Sequence, residues 1–200
     1  MTRPRLPPTV GVVLAGGQSR RFGQEKAVAN FRGRALMDAV ADCLSGCASL
    51  AVSAKPHSQA AQRAREQGWA VLHDDAAHPS GPLSGVCAAL KWADARGYAF
   101  LATAPCDAPL LPRTLFSSMH DALGDAPAVY AVTKNGEHPL CALWRVSLSR
   151  PLARLLDAGA HPSVRDFLHQ HGARQLTFGR AERFANANTV NDLSALEGTQ

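Results

Sequence analysis

Charge and aromatic rings are scarce in this sequence. Charged residues make up 18% and aromatic residues 6% of its 200 positions, against 46% for the apolar set. That mix excludes a disordered acidic or basic tail, a coiled coil and a collagen-like chain. Long apolar runs are missing too. Val10–Ala15 is too short for a secretory core and far too short to cross a bilayer, and no signal-like stretch precedes it. Cysteine is limited to positions 43, 47, 87, 106 and 141; Cys43 and Cys47 lie four apart, and no second pair gives a zinc-like spacing. They read as reduced, mostly buried thiols, and the expected location is the cytoplasm. No internal repeat, low-complexity stretch or linker divides the chain, so one domain is expected, with its core over about residues 9–197. The 21 basic and 16 acidic residues leave a net charge of +5. An anionic partner fits that excess, and so does plain solubility.

Short strand-like runs alternate with longer helix-forming stretches. VGVVLA from Val10, LAVS from Leu50, AVLH from Ala70, AFLAT from Ala99, AVYAVT from Ala128 and LCALW from Leu140 read as strands. Several are apolar throughout, as strands covered on both faces are. Between and after them, residues 36–44, 58–67, 83–95, 112–123 and 151–158 carry apolar residues near a 3.6 period. The alternation predicts an α/β fold with a mostly parallel sheet in three layers. Two strands in direct succession around Asn135-Gly136 predict a hairpin or a mixed sheet edge.

The first strand runs into Leu14-Ala15-Gly16-Gly17-Gln18-Ser19-Arg20-Arg21-Phe22-Gly23-Gln24-Glu25-Lys26. In an open parallel sheet, ligands bind beyond the carboxyl ends of the strands. Gly16 and Gly17 let backbone N–H groups approach a phosphate, and Arg20, Arg21 and Lys26 add positive charge. The spacing fits neither G-x-G-x-x-G nor G-x-x-x-x-G-K-[ST], since Phe22 stands where the second glycine of the latter belongs. The plain alternative is a glycine turn with solvated arginines.

This loop, L-A-G-G-x-S-x-R-x-G-x-x-K, resembles the signature of nucleotidyltransferases that move a nucleoside monophosphate from an NTP to a phosphorylated acceptor, and looks most like the molybdenum cofactor guanylyltransferases. Asp74 followed by Gly81-Pro82-Leu83-Ser84-Gly85, the block Pro105-Cys106-Asp107-Ala108-Pro109, His138-Pro139, and Asn186-Ala187-Asn188-Thr189 are similar to the family's later motifs in the family's order. Two positions depart from the pattern. Ser53 stands where the family commonly has asparagine, and Val190 where it has proline.

The resemblance implies a Rossmann-like three-layer fold of the nucleotide-diphospho-sugar transferase type. Leu14, Ala15, Gly16, Gly17, Lys26, Ser53, Asp74, Gly81 and Asp107 would contact the nucleotide, with Arg21, Lys26 and Asp107 carrying the chemistry. An aspartate in a proline-rich turn is by itself more often a capping residue, but the match gives Asp107 a Mg²⁺, which favours one or two carboxylates plus phosphates and water. Asn188 reads either as part of an N-cap cluster or, by resemblance, as a further group at the metal or acceptor. Asp74 reads as a solvated or capping residue or as the acceptor for guanine's N1–H and 2-amino group. His138 is given no catalytic role.

The implied activity is transfer of GMP from GTP to the terminal phosphate of molybdopterin or Mo-molybdopterin, with pyrophosphate released. Relatives using CTP tend to carry L-A-A-G at this loop, and the glycine at 16 makes room for a purine. The alternatives are a molybdenum cofactor cytidylyltransferase and another small NTP-transferase of the superfamily. A nucleic-acid-binding protein is disfavoured, because the cations are dispersed and no stacking-aromatic pattern occurs. A binding-only regulator would not need Lys26 and Asp107 together. Transient contacts with cofactor-synthesis proteins and with molybdoenzymes or their chaperones are expected, and neither nucleic acid nor membrane is expected as a partner.

Overall fold

The computed structural model describes residues 7–17, 22, 25–75, 77–78 and 81–198. Strand β1 (Thr9–Leu14) is followed by a 3-10 turn at Lys26–Val28 and a small antiparallel ribbon, β2 (Asn30–Phe31) with β3 (Arg34–Ala35). Helix α1 (Leu36–Ala41), β4 (Ser49–Ser53), α2 (Gln59–Glu66), β5 (Ala70–Leu72), α3 (Pro82–Ala95) and β6 (Phe100–Pro105) complete the first half. The second half holds α4 (Leu115–Leu123), β7 (Ala128–Thr133), β8 (Gly136–Arg145), α5 (Ser149–Asp157), α6 (Val164–Gln170), β9 (Arg174–Thr177) and α7 (Val190–Glu197).

Seven strands form one sheet in the order β5-β4-β1-β6-β8-β7-β9. Only β8 runs against its neighbours; β1 pairs in parallel with both β4 and β6, and β9 in parallel with β7. The hairpin expected at Asn135-Gly136 is present as β7–β8. The sheet then extends one strand further, to β9, a strand with no counterpart in the sequence reading.

Alternation along each strand sends side chains to two apolar layers. Val13, Leu143 and Val129 pack with α1, α2 and α4 on one face, while Val12, Trp144 and Tyr130 pack with α3, α5 and α6 on the other. This is the predicted three-layer α/β arrangement. A smaller apolar cluster of Phe22, Phe31, Leu36, Leu110, Ala187 and Leu193 joins the glycine-rich segment to the β2–β3 ribbon and α7. All five cysteines are unpaired, and Cys43, Cys87 and Cys141 are buried. Among the described residues no helix is long and apolar enough to cross a membrane.

Gly11 on β1 lies close under Leu44 and Cys47, in the segment after α1, and beside Leu50 of β4. A Cβ there would fall 2.8 Å from Leu50 Cδ2 and 3.0 Å from Leu44 Cβ. Gly11→Ala is therefore expected to destabilise the fold by about 1–3 kcal/mol through overpacking. Urea unfolding should show a lower midpoint at unchanged slope.

Candidate active site

The chain runs outward from β1 through β4 to β5, then returns across β1 to β6. The carboxyl ends of these parallel strands meet along one edge of the sheet, where the strand order reverses, and that is where such sheets place ligands. A cleft of about 830 Å³ opens there. Its floor and walls include Leu14, Ala15, Gly16, Gly17, Lys26 and Ser53, together with Asp74, Gly81 and Asp107. Each of these was expected from sequence as a nucleotide contact, and the fold brings them together. Arg21, the remaining expected catalytic residue, lies outside the described residues.

The centre of the cleft joins three segments distant in sequence. Lys26 Nζ lies 3.1 Å from Asp107 Oδ2 and 3.2 Å from Asn188 Oδ1. Backbone bonds hold the parts in place. Cys106 N donates to Leu14 O at 3.0 Å, fixing the turn after β6 to the end of β1, and Ala187 N donates to Asp107 O at 2.8 Å, drawing the asparagine segment alongside. Lys26 is anchored by its neighbour, since the Glu25 carboxylate accepts from Gln59 N at 2.6 Å and Ala60 N at 3.0 Å, the first amides of α2. These are orphan donors at a helix start, so the anion there is doubly favoured. Glu25 was not singled out in sequence; its partner is contributed by a helix that begins well downstream.

Thr189 caps α7 in a reciprocal box with Asp192, whose Oδ2 also accepts from Asn188 N at 2.9 Å. Val190 sits at the first helical position and is exposed. Proline suits that position because its amide would be unpaired anyway, and here the capping box starts the helix without it.

Asp107 Oδ1 is buried and has no hydrogen-bond partner, while Oδ2 faces Lys26. An unpaired buried carboxylate oxygen, on a residue that shares Lys26 with the Asn188 carbonyl, gives an all-oxygen donor set suited to a hard divalent cation, with phosphate and water supplying the rest. No group of three or more His, Cys, Asp or Glu able to hold a metal occurs among the described residues.

At the β5 side of the cleft, reduced access to water raises the Asp74 pKa above its ordinary value, and the Ser53 hydroxyl and His73 pull it back down. Ser53 is buried, and a Cβ on Gly85 would sit 2.8 Å from its Oγ and 3.5 Å from Asp74 Oδ1. Gly85 thus lets the first turn of α3 close over the serine, whose hydroxyl serves the Asp74 carboxylate. Gly16 and Gly17 differ in kind: a Cβ at either would meet no atom of the described residues within 4 Å. Packing does not require glycine there, so the open backbone faces the cleft.

On the β8 side the cleft is lined by Glu137, His138, Pro139, Leu140 and Cys141. Burial lowers the His138 pKa, so its ring is neutral at pH 7, bonded to Thr133 Oγ1 at 3.0 Å and packed against Phe184. Burial pushes the Cys106 thiol up to about 12 and the Cys141 thiol higher still, which leaves neither as a thiolate nucleophile. Of this wall, only His138-Pro139 carried a motif in the sequence.

Because the Ser53 hydroxyl favours the charged carboxylate, Ser53→Ala is expected to raise the Asp74 pKa further. NMR titration of the Asp74 side-chain carboxyl should show a higher midpoint in the variant than in the wild type.

Comparison with known proteins agrees with this geometry. The MobA-like NTP transferase domain matches residues 11–175. Molybdenum cofactor guanylyltransferase from Cereibacter sphaeroides is 39% identical over 94% of this chain and 94% of its own length, and the protein of the same name from Acidiphilium cryptum is 38% identical over 93% and 92%. The crystal structure of molybdopterin-guanine dinucleotide biosynthesis protein A from Archaeoglobus fulgidus superposes with a TM-score of 0.72, covering 94% of this chain and 96% of that one, at 21% identity, which speaks to the fold. On sequence, site and architecture together, the chain belongs to the MobA-like NTP transferase family.

Proposed function

We propose that this nucleotidyltransferase transfers GMP from GTP to the terminal phosphate of molybdopterin or Mo-molybdopterin. An oxygen of the acceptor phosphate bonds to the α-phosphorus, the bond from α-phosphorus to the bridging oxygen breaks, and pyrophosphate leaves with that electron pair. The observation that carries the reading is the meeting of Lys26, Asp107 and Asn188 beside the bare backbone of Gly16 and Gly17.

Phosphoryl-type transfer depends on positioning and charge neutralisation more than on a protein nucleophile, and the two cysteines lining the cleft are held as thiols. The amides at Gly16 and Gly17 would hold phosphate oxygens, and Lys26 would stabilise the charge developing on the departing pyrophosphate. Arg21 would supply a second cation from the same stretch of sequence. A magnesium ion held by Asp107 and Asn188 would neutralise triphosphate oxygens near the α-phosphorus. Asp74, with Gly81 alongside, would accept from the guanine N1–H and 2-amino group, a role that requires its carboxylate to be ionised. The 39% identical relatives carrying the guanylyltransferase name support this assignment. The cytoplasm is the compartment where the reaction would run, with the labile acceptor and product handed directly between cofactor-synthesis proteins and molybdoenzymes.

GTP is favoured over CTP by Gly16. Among the described residues no atom lies within 4 Å of where its Cβ would stand, which supports a ligand using that space. Pyrophosphate release should be measured with GTP and with CTP, each with molybdopterin, with and without Mg²⁺. GTP with Mg²⁺ is expected to be the productive combination; a faster reaction with CTP would transfer the assignment to a cytidylyltransferase, and no release with any NTP would sink the enzymatic reading. Asp107→Ala should lower the rate by at least about 100-fold while circular dichroism stays unchanged. Gly16→Ala should leave thermal stability unchanged and reduce the GTP-to-CTP ratio of kcat/KM by about 10-fold or more, the scale of one misplaced methyl group in a fitted pocket.

A further inference from the structure

A second carboxylate lines the cleft on the side opposite Asp74. Glu137 is the second residue of β8, and its side chain is 29% exposed. The Tyr130 hydroxyl donates to its Oε2 at 3.1 Å, and His169 Nε2 lies 3.1 Å from the same oxygen. Tyr130 also sits 2.7 Å from His169 Nε2 and accepts from Gln175 Nε2 at 2.6 Å. Burial raises the Tyr130 pKa, so the phenol remains an O–H donor. Residues from β7 and α6 thereby hold one oxygen of Glu137, with Gln175 of β9 steadying Tyr130, while Oε1 accepts from no described residue.

Such a carboxylate is preorganised for adjacent N–H donors from a ligand, because its orientation is fixed before binding. Both proposed substrates carry that donor pattern. Guanine and pterin share a 2-amino-4-oxopyrimidine ring, whose ring N–H and amino group lie side by side. Asp74 follows β5 and Glu137 opens β8, four strand intervals apart, or about 19 Å at roughly 4.8 Å per interval. Gly16, Gly17 and Asp107, at the ends of β1 and β6, fall between them. The cleft therefore has one carboxylate for such a ring on each side of its phosphate-binding centre. The negative charge of Glu137 also turns away the acceptor's phosphate end, directing it toward Lys26.

We propose that Glu137 recognises the pterin of the acceptor through its N3–H and 2-amino edge, with Tyr130 and His169 as positioning residues. This rests on the guanylyl-transfer reading, and the tests separate the two. Glu137→Gln keeps the side-chain shape but presents an N–H donor where the ligand also donates. KM for molybdopterin should rise by about 10- to 100-fold, the loss of one charge-assisted hydrogen bond, with KM for GTP unchanged. Tyr130→Phe, which removes the hydroxyl from Oε2, should raise the same KM by a smaller factor and spare both kcat and KM for GTP. Calorimetric titration of wild-type protein with pterin and with lumazine, whose 2-amino group is replaced by oxygen, needs no variant and no turnover. Pterin should bind at least about 10-fold more tightly, and Glu137→Gln should abolish or reverse that preference. Equal binding of the two, binding of neither, or an unchanged KM for molybdopterin in Glu137→Gln would overturn the role of Glu137. Absence of transfer from GTP by the wild type, with the pterin preference intact, would instead overturn the reaction.

Discussion

The cleft depends on strand β1 being bonded on both sides to parallel strands that the chain reaches from opposite directions. Val10–Leu14 register against Ser49–Ser53 on one side, and Thr9–Leu14 against Phe100–Pro105 on the other. Both neighbours therefore end level with Leu14, and the turns that follow all leave the sheet at one edge. The Lys26–Asp107–Asn188 contact is possible only because of this alignment. A slip of one residue in β6 would reverse the alternation that buries Leu101 and Ala102 in opposite layers, so apolar packing sets the position of the central carboxylate.

Charge in the cleft is distributed by function. The one lysine at its centre is balanced by Asp107 in a pair whose side chains are only 14% and 20% exposed, so neither charge is left buried alone. Nearby groups that could act as nucleophiles are held in unreactive protonation states by burial. His138 is neutral and the Cys106 and Cys141 thiols are protonated. What remains are groups that hold, orient and neutralise. That set suits transfer between phosphates, where substrate oxygens do the bond-making.

Much of this was legible in the sequence where local pattern and final role coincide. The apolar run of β1, the glycines after it, and Pro82 at the start of α3 announce themselves within a few residues. The helix Val164–Gln170 and the edge strand Arg174–Thr177 did not, because the first is under two turns and the second has only Leu176 as an apolar residue. The β2–β3 ribbon, two residues on each side, is too short to give a periodic signal; its turn uses Arg32 and Gly33 at positive φ. Site residues were hidden for another reason. Glu137 sits in a hairpin where a carboxylate is unremarkable, and only the fold gives it Tyr130 and His169 as partners. Ser53 lines the cleft as expected, but its pairing with Asp74 under Gly85 is given only by the fold. In each case the missing information was a neighbour from a distant part of the chain.

Glu25 gives the nucleotide loop a thermodynamic identity of its own. Its carboxylate takes the place of a helix cap for the first two amides of α2, while Ser58 caps the third through Ala61. The residue next to Lys26 is therefore part of the hydrogen-bonding of a helix that packs on β4 and β5. Moving Glu25 would strip those amides of their acceptor. Lys26 is thus tied through its neighbour to the start of a helix on the outer layer, so the hydrogen-bonding that positions the cleft's lysine extends beyond the cleft itself.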